Sequence, residues 1–285
     1  MRSFSSQHRF CATATNTALA LLTLCLVVCP GPGLAEWYLA GYGGYTTPSS
    51  LSNVTMDNFG EQLGLQQFPG AAFTFTPPQG TLAQTFHSSD VSLKNSPLFG
   101  GKAGYFFKDE GFSWLGVEVE AFTSQPTIKS QTVTTTQTLT YVPFHPNSVN
   151  NPAACATALA GPPPFPIDCP AQITKNGTLQ LSESSMSLIT VAFNVVARYP
   201  GKVLQPYVGV GVGAFYFNSS DQISGRQVVP GLNSQVGLKV LATEEWGFFI
   251  EGKYNYAQIT TLDNFYGLSG NYSAFSALGG IAYHF

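Results

Sequence analysis

The chain has 285 residues, of which only 9% are charged, against about 25% in an ordinary soluble domain. Twelve basic and fifteen acidic residues give a formal net charge of −3, which excludes the basic footprint of a nucleic-acid-binding protein. Apolar residues make up 44% of the chain, yet no run reaches the roughly 20 apolar residues of a spanning helix.

The chain opens with Arg2, His8 and Arg9 ahead of an apolar run from Ala18 to Val28, followed by the helix-breaking Pro30, Gly31, Pro32 and Gly33 and then Ala35. This order predicts a secretory signal peptide over 1–35, cut before Glu36. Cys29 lacks the small preceding residue that a lipoprotein site requires, so lipidation is not expected. Losing Arg2 and Arg9 leaves ten basic residues against fifteen acidic ones, a net charge near −5.

Eight segments with a period of two follow: 37–45, 97–107, 112–122, 186–199, 204–217, 233–242, 247–259 and 274–285. Alternation of this kind marks strands with one apolar and one polar face. The connectors alternate in length. Tight turns at 108–111, 200–202 and 243–246 separate long loops at 46–96, 123–185, 218–232 and 260–273. Short turns on one side and long loops on the other predict an eight-stranded antiparallel up-and-down transmembrane β-barrel over 36–285. Its long loops are expected to be extracellular and both termini periplasmic.

Apolar side chains set the phase of each strand. Leu115, Val117, Val119 and Ala121 are expected to face lipid, as are Ile189, Val191, Phe193 and Val195, and Val208, Val210 and Val212. The charges Lys102, Glu118, Glu120, Arg198, Lys239, Glu251 and Lys253 then all fall on the inner face, as they must, because a lipid-facing Lys or Arg at midplane costs about 2 to 4 kcal/mol. Simple hairpin register pairs Lys102 with Glu118 and Lys239 with Glu251. A structural core of paired charges is expected. The inward Gly100, Gly104, Gly209, Gly211 and Gly213 leave open the alternative of a locally widened polar pathway.

The loops are the chain's individual part. Loop 123–185 holds a Thr-rich alternating arm, 130–141, a Pro-rich tip around Pro162, Pro163 and Pro164, and a second arm, 177–185, which together predict a protruding hairpin. Cys155 and Cys169 are the only cysteines after the leader, and in an oxidising compartment they are expected to form a disulfide, with a two-cysteine metal site as the weaker alternative. Phe59, Phe68, Phe73, Phe75 and Phe86 in the first loop are expected to fold over the barrel mouth. The histidines His87, His145 and His284 show no ligand-like spacing and are read as solvated.

The final strand places Phe275, Ala277, Gly279, Ile281, Tyr283 and Phe285 in one apolar row. Gly280, Tyr283 and Phe285 resemble the terminal signal read by the barrel-assembly machinery of bacterial outer-membrane proteins, with Leu278 as a departure from it. Together with PYVGVGVGAFYF (206–217) and GGKAGYFF (100–107), the eight strands resemble the OmpA-like outer-membrane β-barrel superfamily, without its periplasmic peptidoglycan-binding domain. The resemblance implies a Gram-negative outer membrane, contact with its lipid and lipopolysaccharide, and a structural or surface-interaction role. A small diffusion channel is the alternative. A lipid-modifying hydrolase is more distant, because His87-Ser88-Ser89-Asp90 is only an echo of the His-any-Ser-Asn signature expected of lipid A deacylases. No enzyme activity or cofactor is expected, and a monomer is.

Overall fold

The computed structural model describes residues 36–48, 50–68, 80–108, 111–143, 152–165 and 169–285. The expected leader, Phe73, Phe75 and His145 lie outside these residues. In chain order the elements are β1 (Glu36–Pro48), β2 (Ser52–Met56), α1 (Asp57–Gln67), β3 (Gly80–Ser88), β4 (Ser96–Phe107), β5 (Phe112–Ser124), β6 (Thr127–Ile128), β7 (Gln131–Pro143), α2 (Pro152–Leu159), β8 (Ala171–Leu181), β9 (Ser184–Arg198), β10 (Leu204–Ser219), β11 (Gly225–Leu241), β12 (Trp246–Ile259) and β13 (Leu268–His284).

Eight of these strands close on themselves in the order β1-β4-β5-β9-β10-β11-β12-β13, with β13 returning to pair β1. Every neighbour is antiparallel. All eight predicted segments are barrel strands. Four of the remaining strands carry the same sheet beyond the wall, as β13-β2-β3-β7-β8, and the short β6 pairs β9.

The outer surface explains why the chain needs so few charges. Val119, Val191, Val210, Val212, Leu232 and Ile250 are each more than half exposed, and Phe193 is 50% exposed. They form a band of apolar side chains that only lipid can cover. Aromatic residues border it. At the end bearing the tight turns stand Trp37, Phe112, Trp114, Tyr199, Trp246 and Phe285; towards the loop end stand Tyr45, Phe99, Tyr254 and Phe275. From Trp37 to Tyr45 the strand advances about 27 Å, or roughly 20 Å of height at the usual tilt, close to the apolar band of an outer-membrane barrel.

Several strands continue well past the upper aromatic row. β11 begins at Gly225 and β13 at Leu268. The loop expected over 218–232 is therefore mostly strand, and the one over 260–273 becomes strand from Leu268 onward, because the alternation there is of polar with apolar residues and lacks the apolar outer face that marks lipid contact. The loop at 46–96 likewise contains β2, α1 and β3, and β7 and β8 form the hairpin of loop 123–185, the second arm running over Ala171–Leu181. α1 packs on β3 and β7, with the Gly60 carbonyl accepting a bond from Gln137 Nε2 at 2.8 Å and the Asp57 carbonyl one from Gln84 Nε2 at 3.1 Å.

Candidate functional site

The inward residues of the barrel divide into two zones along its axis. Nearest the turns is a charged zone. At its floor Glu36 accepts from both terminal guanidinium nitrogens of Arg198, one of them at 2.5 Å, and from Nδ1 of His284 at 2.9 Å. Arg198 also stacks 3.7 Å from the centre of the Phe106 ring. Lys239 lies 3.3 Å from Nε2 of His284 and 4.3 Å from the Tyr38 ring centre. A proton on Nδ1 and a lone pair on Nε2 satisfy both contacts of this histidine.

Above this floor Glu251 accepts bonds from Lys102 and Tyr207, each at 2.6 Å, with Lys253 at 3.4 Å. Glu118 is bonded by Tyr38, Asn194 and Gln235, and Lys102 stands 3.6 Å from it. Glu120 collects Tyr42, Lys253, Asn194 and Asn233. All of these charged groups are buried. Each carboxylate is matched by several donors, which is what a buried charge needs to offset its desolvation.

The structure brings the seven predicted charges together on the inner face; Lys102 and Glu118 form an ion pair at 3.6 Å without lying directly opposite, whereas Lys239 and Glu251 do not pair. Lys102 lies opposite Glu120, not Glu118, because an irregularity at Phe106 and Phe107 shifts the β4–β5 register at the turn. Lys239 lies opposite Phe249, and Glu251 opposite Gly237, so these two charges are not neighbours. Other ion pairs run across the lumen: β5 and β12 stand diametrically opposite in the closed order, and Glu120 and Lys253 join them. An eight-stranded barrel is narrow enough for two side chains to meet at its centre. Sequence spacing cannot report such a contact.

Glu36 and His284 were not anticipated as members of the site. His284 is 5% exposed and is not solvated. The signal was available, since Glu36, Tyr38 and Tyr42 share one phase, as do Leu278, Ala282 and His284, but both charges sit at strand ends. His87 is exposed on β3. The inward glycines do not widen a pathway. A Cβ on Gly104 would meet the Tyr38 ring at 2.3 Å and one on Gly100 the Tyr42 hydroxyl at 2.4 Å, so tyrosines from β1 lie flat across the glycines directly opposite. At Gly211 the space is filled by Asn194.

Towards the loop end the interior turns apolar. Leu188, Phe215, Phe217, Ile259, Leu268 and Tyr272 point inward from the barrel strands and meet Leu51, Val54 and Met56 of the first loop, Ile128, Leu181, Ile223 and Leu262 in one buried cluster. Phe59 and Phe86 belong to this plug; Phe68 instead stacks on Tyr141 at 4.7 Å, in a smaller cluster farther out with Phe165. The carboxylate of Asp263 holds the loop above the plug by accepting the backbone N–H groups of Phe265, Tyr266 and Leu268 at 3.1, 2.6 and 3.0 Å. Cys155 and Cys169 are joined by a disulfide, their Cα atoms 5.6 Å apart. A cavity of about 20 Å³ lined by Tyr38, Lys102, Glu118, Arg198, Tyr207 and Lys239 interrupts the packing of the lumen. That is room for one water molecule.

A closed eight-stranded wall, an apolar outer band between aromatic rows and a filled polar interior define an outer-membrane β-barrel protein. Among solved structures, the chain is similar to Neisserial surface protein A, with 10% identity, 88% of this chain and 99% of that one covered, and a TM-score of 0.42. It is also similar to Ail, the attachment invasion locus protein of Yersinia pestis, with 13% identity, 88% and 99% covered and a TM-score of 0.35. The N-terminal β-barrel domain of Pseudomonas aeruginosa OprF matches at 13% identity, with 88% and 97% covered and a TM-score of 0.32. No family model and no curated protein sequence matches the chain.

Proposed function

We propose that this barrel is a closed membrane anchor whose role is to hold an extracellular sheet at the cell surface for interaction, and that it is neither a channel nor an enzyme. The observation that carries this reading is the lumen. Ion pairs cross its centre at the level of the lipid band, and an apolar plug built partly from the loops fills it above. The loops spend their length on β2, β3, β7, β8 and α1, which form an ordered lobe beyond the barrel rim. In this reading the turns and both termini are periplasmic, the lobe faces outward, and the lipid contacted by the loop-side half of the apolar band is lipopolysaccharide.

Planar-bilayer recording of refolded protein tests it. Silence is expected from the whole protein, and steady openings that persist after the β7–β8 hairpin is trimmed would overturn it. The terminal residue belongs to the same proposal. The Phe285 amide bonds the Trp37 carbonyl at 3.0 Å, closing the seam between β13 and β1, and its ring stands 5.0 Å from Tyr283. Gly280, Tyr283 and Phe285 would be read by the assembly machinery before that seam closes. Deleting Phe285 should reduce the amount of heat-modifiable barrel recovered from outer membranes several-fold, with chain synthesis unchanged.

A further inference from the structure

The sheet that closes on itself at the barrel has one open end, the outer edge of β8, which among the described residues pairs only with β7. An unpaired edge carries a row of free backbone N–H and C=O groups and is a template for another strand, so proteins normally blunt such edges with charge, proline or a bulge. Of the eleven residues of β8, Gln180 has its carbonyl taken, accepting from Gln222 Nε2 at 3.4 Å. β8 has no proline, and its pairing with β7 runs without irregularity. Its one charge, Lys175, is exposed and reaches over the Phe165 ring at 5.0 Å.

The sequence of this edge reads nearly the same in both directions about Asn176. Gln172 mirrors Gln180, Ile173 mirrors Leu179, Thr174 mirrors Thr178, and Lys175 mirrors Gly177. Burial follows the same symmetry: the five residues Thr174 to Thr178 are exposed, Ile173 and Leu179 are half-buried, and Ala171 and Leu181 are buried. A two-fold contact between identical strands needs this property, because each residue i that meets residue j must also be met by it. Antiparallel pairing centred on Asn176 sets hydroxyl against hydroxyl, amide against amide and aliphatic against aliphatic side chain. It also places Lys175 against glycine and never against a second lysine.

From this self-complementarity, and resting on the reading of the lobe as the interacting part, we infer that β8 binds β8 of a second copy of this chain. The dyad between antiparallel strands is perpendicular to the sheet, and we place it across the barrel axis, which it then reverses. The two copies therefore sit in facing membranes, and the contact joins one cell or vesicle to another.

The test uses whole protein reconstituted in phospholipid vesicles with the lobe outside, clustering being followed by light scattering and two-colour fluorescence. Wild-type vesicles are expected to cluster. In the T174K/T178K double variant each new lysine faces a lysine of the copy, and in T174E/T178E each glutamate faces a glutamate. Either alone should lower clustering at least tenfold, and mixing the two kinds of vesicle should restore it, since each lysine then meets a glutamate. Heat-modifiable migration of both variants shows that the barrel has folded. Dispersed wild-type vesicles, clustering of T174K/T178K at the wild-type level, or no rescue on mixing would each overturn the inference. A silent lumen in bilayer recording would stand under any of these outcomes, so the two readings fail separately.

Discussion

At the level of the lipid band the barrel is apolar outside and charged inside; above the upper aromatic row the same strands are polar outside and apolar inside. Val210 and Val212 of β10 face lipid while the adjoining wall encloses Glu118 and Glu120, yet a few residues farther along β10 it is Phe215 and Phe217 that point inward and Asn218 that points out. The reversal follows the solvent. Lipid rewards apolar surface on the outside and leaves polar side chains only the lumen, where they must satisfy one another. Beyond the lipid, water surrounds the wall, and ordinary hydrophobic burial builds the core. One strand thus serves two solvents by exchanging its faces.

Breaking the charged zone should have the largest effect. Glu120→Ala removes the nearer carboxylate of Lys253, which is fully buried, leaving it only Glu251 at 3.4 Å, and should cost roughly 3 to 5 kcal/mol of barrel stability in denaturant titrations from lipid vesicles. Replacing both partners, as in Glu120→Leu with Lys253→Met, should recover most of that loss. The apolar zone should behave in the opposite way. Phe217→Ala opens a cavity beside Tyr272, whose ring centre is 5.3 Å away, and should cost about 3 kcal/mol. Adding Tyr272→Ala should deepen the loss. Recovery on double replacement in both zones would erase the distinction between them.

Two smaller effects sharpen the boundary between wall and lobe. Asp263→Ala removes the acceptor of three backbone amides over the plug and should cost about 1 to 2 kcal/mol, read most clearly as faster hydrogen exchange at Tyr266 and Leu268. Replacing Cys155 and Cys169 by serine should leave barrel melting nearly unchanged while the segment between them becomes open to protease. The ring spans a sequence separation of 14, for which loop closure is worth roughly 3 kcal/mol to the local fold only.

Strand count, phase and the inward set of charges were legible because each depends on the period of two along a single strand, as with Glu118 and Glu120 between Val117, Val119 and Ala121. The hairpin and the pair Cys155 and Cys169 were legible for similar local reasons: alternation in the arms and an even cysteine count. Strand ends were less so. Past Tyr216 on β10 and before Phe275 on β13 the alternation continues with its meaning reversed, and a reading tuned to a lipid-facing apolar row stops there.

What the sequence by itself determined is therefore the alternation: which side chains share a face, how many strands there are, and that charges must lie inside. Only the tertiary structure decided which inward residues meet. Lys253 reaches Glu120, and Arg198 reaches Glu36, across a lumen whose diameter depends on all eight strands closing at once. The irregularity at Phe106 and Phe107 sets the β4–β5 register. The union of first-loop residues with β10, β12 and β13 in the plug is likewise a contact between segments far apart in sequence, and no local period encodes such distances.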